Sequence, residues 1–147
     1  MSYLTIDQQI EELNNEVKCH LKPSSIHGIG VFALRDIKKG EKCYCFPDQF
    51  RKWYAVPYDR LKDLRPEVRE VVLARWPGII NGSGFQSPNC DVWLISFMNH
   101  SDSPNYTVDI DTALRDIPKG AEVTEDYRTM RNAEKIYSFL KARSLYR

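Results

Sequence analysis

The stretch SFMNHSDSPNY, Ser96–Tyr106, decides how the rest of the chain is interpreted. Asparagine and proline are common turn residues, so the stretch by itself fits an ordinary loop. As a metal site it offers few ligands, because His20 and His27 lie far away in sequence. A catalytic pair of Ser101 and His100 is disfavoured, because adjacent side chains rarely face each other. The stretch therefore predicts a turn or a backbone cradle for a ligand.

Length and charge limit the class of protein. The chain has 147 residues, which predicts one domain. It has 21 Lys and Arg against 20 Asp and Glu, which argues against a protein that binds nucleic acid directly. No apolar run is long enough to span a membrane, and the polar beginning has no signal-peptide core. We therefore expect a soluble, cytoplasmic protein that does not contact membranes.

The four cysteines are Cys19, Cys43, Cys45 and Cys90. They form no paired Cys-x-x-Cys sets, so neither a zinc site nor a disulfide framework is indicated. Strand alternation would place Cys43 and Cys45 on one face, which favours buried core thiols.

Hydrophobic periodicity and capping residues predict short elements. Thr5 and Gln8 form a capping-box pattern, which predicts a helix over residues 6–16. Pro66 opens a second, modestly amphipathic helix, and apolar spacing predicts another from Asn132. The predicted strands are 17–21, 31–34, 41–46, 92–98, 106–110 and 112–117, the last two paired through a tight turn at Asp109–Asp111.

One phrase occurs twice. ALRDIKKGE covers residues 33–41, and ALRDIPKGAE covers residues 113–122. Each copy predicts a strand, a charged turn that ends in glycine, and another strand. Ile37 and Ile117 are the expected buried side chains. Two copies are too few for a solenoid, so the repeat indicates a fold of several small sheets.

HGIGVFA contains a Gly-x-Gly-x-x-Ala pattern at Gly28, Gly30 and Ala33. The pattern matches a dinucleotide-binding fingerprint, but that fingerprint must open a helix. Here a turn follows within a few residues, so a nucleotide-binding Rossmann unit is disfavoured. The two glycines still allow the backbone to approach a ligand closely, although an ordinary glycine turn has the same signature.

EVTEDYR, residues 122–128, groups Glu125, Asp126 and Tyr127 after a turn. Alone, it fits a strand that ends in an acidic bend, with a packed tyrosine.

The order of these three motifs resembles the SET-domain family of protein lysine methyltransferases. The resemblance covers roughly residues 17–128. The matching residues are Gly28, Gly30, Asn99, His100, Ser101, Pro104, Asn105, Gly120, Glu122, Thr124, Asp126 and Tyr127.

The resemblance implies a fold that is mainly β with short helices (α+β). It is a β-clip of several small sheets with a knot-like crossing near the C-terminus. Residues 17–128 would form the catalytic domain, with a variable insert over 47–89 that recognises substrate. Residues 1–16 would add an N-terminal helix, and residues 129–147 a C-terminal helix that closes the site.

The resemblance also implies S-adenosylmethionine as cofactor and a lysine side chain as methyl acceptor. The catalytic residue would be Tyr127. The cofactor-binding residues would be Gly28, Ile29 and Gly30 at the methionine part, Asn99 at the polar end, His100 at the adenine, and Tyr127. Glu125 and Tyr106 are predicted to line the substrate channel.

Two departures from the family pattern have consequences. Many relatives place a zinc-binding cysteine where this chain has Asp102, and the tail after it has no cysteine, so we predict no metal. Some relatives carry Phe or Tyr at Glu125, where the residue shapes the number of methyl groups added. Glu125 would either hydrogen-bond the substrate ammonium or point into solvent. Tyr137 or Phe139 would approach the cofactor, unless they are core.

The implied partner is a protein or peptide with a lysine, such as a histone, a ribosomal protein or a nucleoid protein. Scattered carboxylates would favour a basic peptide. The aromatic side chains of the insert would line a peptide groove or belong to the core: Trp53, Tyr54, Tyr58 and Trp76. The compartment would be the host nucleus if the protein is viral or a secreted effector. The alternatives are a non-catalytic module of the same fold that holds cofactor or a basic peptide, and a small β-rich interaction protein.

Overall fold

The computed structural model of the chain describes residues 4–43, 54–75, 79–80, 83–86 and 94–129. Within these ranges the fold is mainly β with short helices, and its strands form three small sheets, as predicted. The helices are α1 (Ile6–Glu16) and α2 (Pro66–Arg75). The strands are β1 (Cys19–Pro23), β2 (Ile29–Ala33), β3 (Tyr54–Pro57), β4 (Ile79–Ile80), β5 (Ser83–Gln86), β6 (Asn99–His100), β7 (Tyr106–Thr107), β8 (Thr112–Ala113) and β9 (Glu122–Glu125).

The largest sheet has the strand order β1-β2-β9-β6. Strand β2 pairs antiparallel with both β1 and β9, whereas β6 runs parallel to β9. The register pairs Asn99 with Thr124 and His100 with Glu125. The Asn-His-Ser and Glu-Val-Thr-Glu segments, which the sequence separates by about 20 residues, are therefore neighbours.

Alternation along β9 divides its side chains between two faces. Val123 and Glu125 face the buried side, where Val31 lies opposite Val123 and both are fully buried. Glu122 and Thr124 face the other side. Because paired residues share a face, His100 lies on the face of Glu125, and Asn99 on the face of Glu122.

The two copies of the repeated phrase bind each other. Ile37 and Ile117 exchange both backbone hydrogen bonds at 2.8 Å, and both side chains are fully buried, as predicted. The turns are held reciprocally: Asp116 accepts from the Lys39 backbone N–H at 2.9 Å, and Asp36 accepts from the Lys119 backbone N–H at 2.8 Å. Gly40 and Gly120 end these turns with φ angles of 87° and 82°, which favour glycine. The repeat thus forms an interlocked pair with local two-fold character.

Two clusters of buried side chains hold the structure together. The first surrounds the large sheet and the repeat: Cys19, Val31, Ala33, Ile37, Cys43, Leu94, Met98, Tyr106, Val108, Ala113, Ile117 and Val123. The second lies between α1, α2 and β3: Ile10, Leu13, Val17, Leu34, Tyr54, Val56, Leu61, Leu64, Val68 and Val72. The burial of Cys19 and Cys43 as free thiols confirms the core interpretation for these two.

Helix α1 docks on β3 through polar contacts as well as apolar ones. The predicted capping box is present, because Thr5 and Gln8 hydrogen-bond reciprocally at 2.9 and 3.2 Å. Gln9 Oε1 accepts the Ala55 backbone N–H at 2.8 Å. The Tyr54 hydroxyl, which is buried, donates to a carboxylate oxygen of Glu12 at 2.7 Å. Tyr54 is therefore a core residue, whereas Tyr58 is 55% exposed.

The prediction of a buried strand over 92–98 is wrong for the part that the structure describes. Leu94–Phe97 is a 3₁₀ helix, and the extended backbone begins only at β6. A short apolar run fits a strand or a buried helical turn equally well, so periodicity could not separate them. Leu94 and Met98 are buried while Ser96 between them is exposed, which is the helical pattern.

Two further strand predictions need correction. Residues 41–43 form no strand. The Cys43 backbone N–H donates to a side chain, the Tyr106 hydroxyl, and not to the backbone of a neighbouring strand. The Glu41 carbonyl accepts from the Ala113 backbone N–H. Strands 106–110 and 112–117 pair as predicted but extend over only two residues each. The turn between them includes Asp111, whose φ of 51° is incompatible with a continuous strand.

Several predictions fall outside the described residues: Cys45, Cys90, Trp53, Trp76 and the helix from Asn132 with Tyr137 and Phe139. The domain boundaries and the knot-like crossing stay predictions. Among the described helices, none is both long and apolar enough to cross a membrane.

Candidate active site

The glycine loop before β2 has a backbone conformation and a close packing that require glycine at two positions. Gly28 has a φ of 47°, a conformation that side chains disfavour. A Cβ on Gly30 would lie 2.8 Å from Glu122 Cδ and 3.1 Å from Ser24 Cβ, and closer still to Glu122 Oε1. Residues 29–33 form a strand where a dinucleotide fingerprint requires a helix, so the Rossmann interpretation is excluded. The side chain of Ile29 in this loop is 51% exposed.

Asn99 joins β6 to this loop. Its Nδ2 lies 3.1 Å from His27 O, 3.4 Å from Ile29 O and 2.7 Å from Glu122 Oε1. All three neighbours only accept hydrogen bonds, so the amide nitrogen must face them. The two N–H groups of Asn99 are thus engaged within the protein. A ligand would meet Asn99 through its carbonyl oxygen or its backbone.

Glu122 is the common partner of this corner. Its carboxylate accepts from the Ser24 hydroxyl at 2.8 Å to each oxygen and from Asn99. The Ser24 oxygen in turn accepts the Ile26 backbone N–H at 2.9 Å. Glu122 therefore fixes the glycine loop against β6. The sequence places Glu122 inside the matching motif, but neither spacing nor composition indicates that it contacts Ser24, 98 residues away.

The ring of His100 is held at both nitrogens. The Tyr127 backbone N–H donates to Nδ1 at 3.2 Å, and Nε2 lies 3.2 Å from Asp102 Oδ1. Because Nδ1 accepts, the proton of a neutral ring sits on Nε2 and points to Asp102. The His100 and Tyr127 rings are 5.4 Å apart between centroids. His100 thus positions the backbone that presents Tyr127.

The hydroxyl of Tyr127 donates to the Met98 backbone carbonyl. Tyr127 lies in a single 3₁₀ turn, Tyr127–Thr129, directly after β9, and its side chain is partly buried. Met98 precedes Asn99, so the hydroxyl is placed at the start of β6. The Met98 carbonyl is a contact that the sequence does not reveal, because it belongs to the backbone.

Asp126 has a structural role at this turn. Its carboxylate accepts from Arg128 Nε and Nη2 at 2.8 Å each and from the Arg128 backbone N–H at 2.9 Å. The Arg128 side-chain hydrogen bond lowers the pKa of Asp126 to about 2. Ser101, whose hydroxyl accepts the Ser103 backbone N–H at 3.1 Å, is likewise a turn residue. The contacts of both residues are therefore those of structural turn residues.

Glu125 is a buried acidic residue at the end of β9. Its side chain is 1% exposed, and neither carboxylate oxygen has a hydrogen-bond partner among the residues that the structure describes. Burial, together with the nearby charge of Asp109, raises the pKa of Glu125 to about 7. Of the two orientations considered for Glu125, the one toward solvent is wrong. Strand alternation puts this side chain on the inner face of β9, away from water.

Tyr106 is fully buried, and its hydroxyl is engaged in the core. The hydroxyl donates to Asp111 Oδ1 and accepts the Cys43 backbone N–H at 2.8 Å. These bonds tie the β7–β8 turn to residue 43. A role of Tyr106 in lining a substrate channel stays a prediction.

The six residues predicted to bind cofactor form two contact groups on either side of β6. Gly28, Ile29 and Gly30 are linked through Asn99 and Glu122 to β6, and His100 is linked to Tyr127. No group of three or more metal-ligating side chains occurs among the described residues.

Comparison with known proteins identifies the class of this fold. The SET-domain family model matches residues 28–128, more than half of the chain, so the chain belongs to the SET-domain family. A crystal structure of a candidate histone methyltransferase from Plasmodium falciparum is similar, at 20% identity with a TM-score of 0.37. That similarity covers 77% of this chain and 95% of the other. A search of curated proteins finds no significant match.

Proposed function

We propose that the chain is an S-adenosylmethionine-dependent methyltransferase that transfers a methyl group to a lysine side-chain amine of a protein. Family membership supports the class of methyltransferase. The observation that carries the proposal is the hydrogen bond from the Tyr127 hydroxyl to Met98 O. It places a polar pair beside the Asn99–His100 strand and near the glycine loop.

The corner built by the glycine loop and β6 suits the cofactor. A Cβ at Gly30 would enter the space taken by Glu122, so the backbone lies close to its neighbours. The exposed Ile29 side chain adds an apolar surface next to these polar groups. S-adenosylmethionine has apolar and charged parts, and when bound it supplies an electrophilic methyl group. Gly28–Gly30 would hold its methionine part, the Asn99 carbonyl its polar end, and the His100 backbone its adenine.

The chain's own residues would orient the acceptor. A lysine ammonium, with a pKa near about 10.4, must lose a proton before its nitrogen can attack. Apolar surroundings lower that pKa because they disfavour the charged form. The Tyr127 hydroxyl and the Met98 carbonyl would align the amine, which in-line transfer requires to be about 3–3.5 Å from the methyl carbon.

The proposed partner is a lysine-bearing protein, such as a histone, a ribosomal protein or a nucleoid protein, in the cytoplasm. One surface feature is weaker than the sequence indicated: Asp111 is buried against Tyr106 and cannot attract a basic peptide. Asp109 is exposed and could attract such a peptide, whereas Asp102, although exposed, contacts His100 and Arg128.

Calorimetric titration with S-adenosylmethionine, repeated with S-adenosylhomocysteine, tests the proposal without the acceptor. We expect saturable one-site binding of both compounds. Asn99→Ala should weaken it, because the loop loses its bonds to β6. Asn15→Ala, which changes an exposed asparagine on α1, should bind as the wild type does.

Methyl transfer is tested next, with radiolabelled S-adenosylmethionine and a mixture of core histones, ribosomal proteins and nucleoid proteins. Label on a lysine of any component supports the enzyme. Cofactor binding without transfer to any of them would favour a non-catalytic module. A folded protein that binds neither compound would sink the proposal and favour an interaction protein.

A further inference from the structure

Among the residues that the structure describes, no cationic side chain pairs with the buried carboxylate of Glu125. Both oxygens are shielded from water and unpartnered among the described residues. Burying a charged group without a partner is costly, and such groups are normally paired or neutralised. A buried acid without a partner is therefore either protonated and neutral or paired with a group of a bound ligand.

The described charges around Glu125 favour the neutral form of its carboxyl group. The titratable side chains nearest it along the chain and across the sheet are Asp109, His100, Asp126 and Tyr127. Asp109 opposes the charge on Glu125, Asp126 is committed to Arg128, and the His100 nitrogens are engaged by Tyr127 N–H and Asp102. No described lysine or arginine lowers the pKa of Glu125. Both oxygens of Glu125 could therefore accept hydrogen bonds from a cationic group of a ligand.

The position of Glu125 indicates which cation that is. Glu125 pairs in register with His100, so these two side chains share a sheet face. The ring of Tyr127, two residues after Glu125, lies 5.4 Å from the His100 ring between centroids. Tyr127 follows the end of β9, and its hydroxyl reaches back to the Met98 carbonyl, which precedes the start of the parallel strand β6. The reacting amine of the proposed substrate would therefore enter next to an unpaired acid.

We propose that Glu125 binds the ε-ammonium of the acceptor lysine and takes the proton that must leave before methyl transfer. The inference rests on the proposed function. In this step an N–H bond of the ammonium breaks, an O–H bond forms on Glu125, and the nitrogen keeps the electron pair. That pair bonds the donated methyl carbon as the carbon–sulfur bond breaks, with its electrons remaining on sulfur. Glu125 later releases its proton to solvent.

The dry environment supports both halves of this role. Away from water, an ammonium and a carboxylate attract each other more strongly than at the surface. A carboxyl that titrates near neutral pH is suited to accept a proton and release it again at working pH. A carboxyl of ordinary acidity would bind the ammonium but would be a poorer base.

A binding experiment without cofactor tests the ammonium contact. The probes are Nα-acetyl-lysine methylamide and its neutral analogue Nα-acetyl-norleucine methylamide. Carbon-13 NMR of glutamate-labelled protein gives the Glu125 carboxyl signal, identified by its loss in Glu125→Gln. We expect the lysine probe to lower the pKa of Glu125 and the norleucine probe to leave it unchanged. Identical titrations with both probes, or a Glu125 that titrates like an exposed glutamate in the free protein, would overturn the proposal.

A kinetic experiment tests the proton transfer, with the radiolabelled assay on core histones. The wild-type rate should rise with pH through the pKa of Glu125, because only the carboxylate accepts a proton. Glu125→Gln should lose that dependence and at least about tenfold in rate, while calorimetry shows wild-type cofactor affinity. Asp109→Asn keeps the Glu125 carboxylate but removes the charge that raises its pKa. The rise of the transfer rate should therefore occur at lower pH in this variant.

The outcomes separate this inference from the proposed function. Absence of cofactor binding and of transfer in the wild type would remove the proposed function. Wild-type transfer with an unchanged rate and pH profile in Glu125→Gln would remove only the role of Glu125. An Asp109→Asn profile that coincides with the wild type would also contradict the role of Glu125 as the titrating group.

Discussion

At the scale of single residues, two tyrosine hydroxyls have different uses. Tyr106 donates to a buried carboxylate in the core, whereas Tyr127 donates to the backbone carbonyl that begins β6. Both bonds satisfy a polar group, but only the second lies at the start of the Asn99–His100 strand. Substitution should therefore separate stability from transfer.

Tyr127→Phe removes the hydroxyl and keeps the ring. We expect methyl transfer to fall by about a hundredfold, because the amine loses one orienting contact. Cofactor affinity, measured by calorimetry, should stay within a few-fold of the wild type. Equal transfer by Tyr127→Phe and the wild type would contradict the catalytic assignment.

Gly30→Ala tests the packing of the glycine loop. Alanine is the better strand former, so an increase in stability would be expected if space allowed it. The Cβ would meet Glu122, so we expect a loss of about 1–3 kcal/mol in the free energy of unfolding and weaker cofactor binding. Urea unfolding measures the first effect. In a Glu122→Ala background the same change should cost less; an equal cost in both backgrounds would show that the contact with Glu122 is not the cause.

At the scale of elements, the reciprocal pairing of the two ALRDI segments connects the large sheet to the β7–β8 hairpin. The Ile37–Ile117 pair lies at its centre, and the aspartates of each copy bind the turn of the other. The Lys39 backbone N–H lowers the pKa of Asp116, and the nearby Lys38 adds to this effect. The element is therefore held by a few specific contacts around one buried pair.

Ile117→Ala should destabilise the protein by about 2–5 kcal/mol, because it leaves a cavity in the first core. Leu114→Ala is the matched control in the same segment, since Leu114 is 43% exposed and should cost less than about 1 kcal/mol. Thermal and urea unfolding of both variants measure the difference. Similar losses in the two variants would argue against Ile117 as a core residue.

The sequence was sufficient for elements that local chemistry determines, and insufficient where distant contacts decide. The cap at Thr5, the helix that begins at Pro66 and the burial of Ile37 followed from pattern alone. The 3₁₀ helix at Leu94–Phe97 did not, because an apolar run has the same composition in both structures. The candidate site residues were proposed from motif order and stay predictions. The contact of Glu122 with Ser24, and the lack of a partner for Glu125 among the described residues, depend on how the strands pair.

At the scale of the whole molecule, the two clusters of buried side chains both stabilise the described part of the chain. The second core joins α1 to residues 54–75, and the first core packs on the large sheet that carries the candidate site. Glu125 projects from β9 into the side of the sheet that packs on the first core. Ionisation of Glu125 should therefore lower the free energy of unfolding of the protein.

The pH dependence of stability tests that statement. Because folding raises the pKa of Glu125 from 4.5 to about 7, the contribution of Glu125 is fully present below about pH 4.5 and is lost as the pH rises through about 7. A rise of this size corresponds to a loss of about 3 kcal/mol. Asp126, whose pKa is lowered, acts in the opposite direction, so the difference between the wild type and Glu125→Gln isolates the effect. Urea unfolding at pH 5 and pH 8.5 should show Glu125→Gln gaining relative stability at the higher pH, and a constant difference would contradict it.

The interlocked repeat also affects the order in which parts of the chain can fold. Ile37 and Ile117 pair across 80 residues (117 − 37), so the first copy has no partner until most of the chain has been synthesised. Contacts of such high sequence separation require a long loop to close first, which slows folding. A nascent chain that ends before the second ALRDI segment exposes the apolar residues of the first. The fold is therefore completed late, by the same segment that delivers Glu122, Glu125 and Tyr127 to the site.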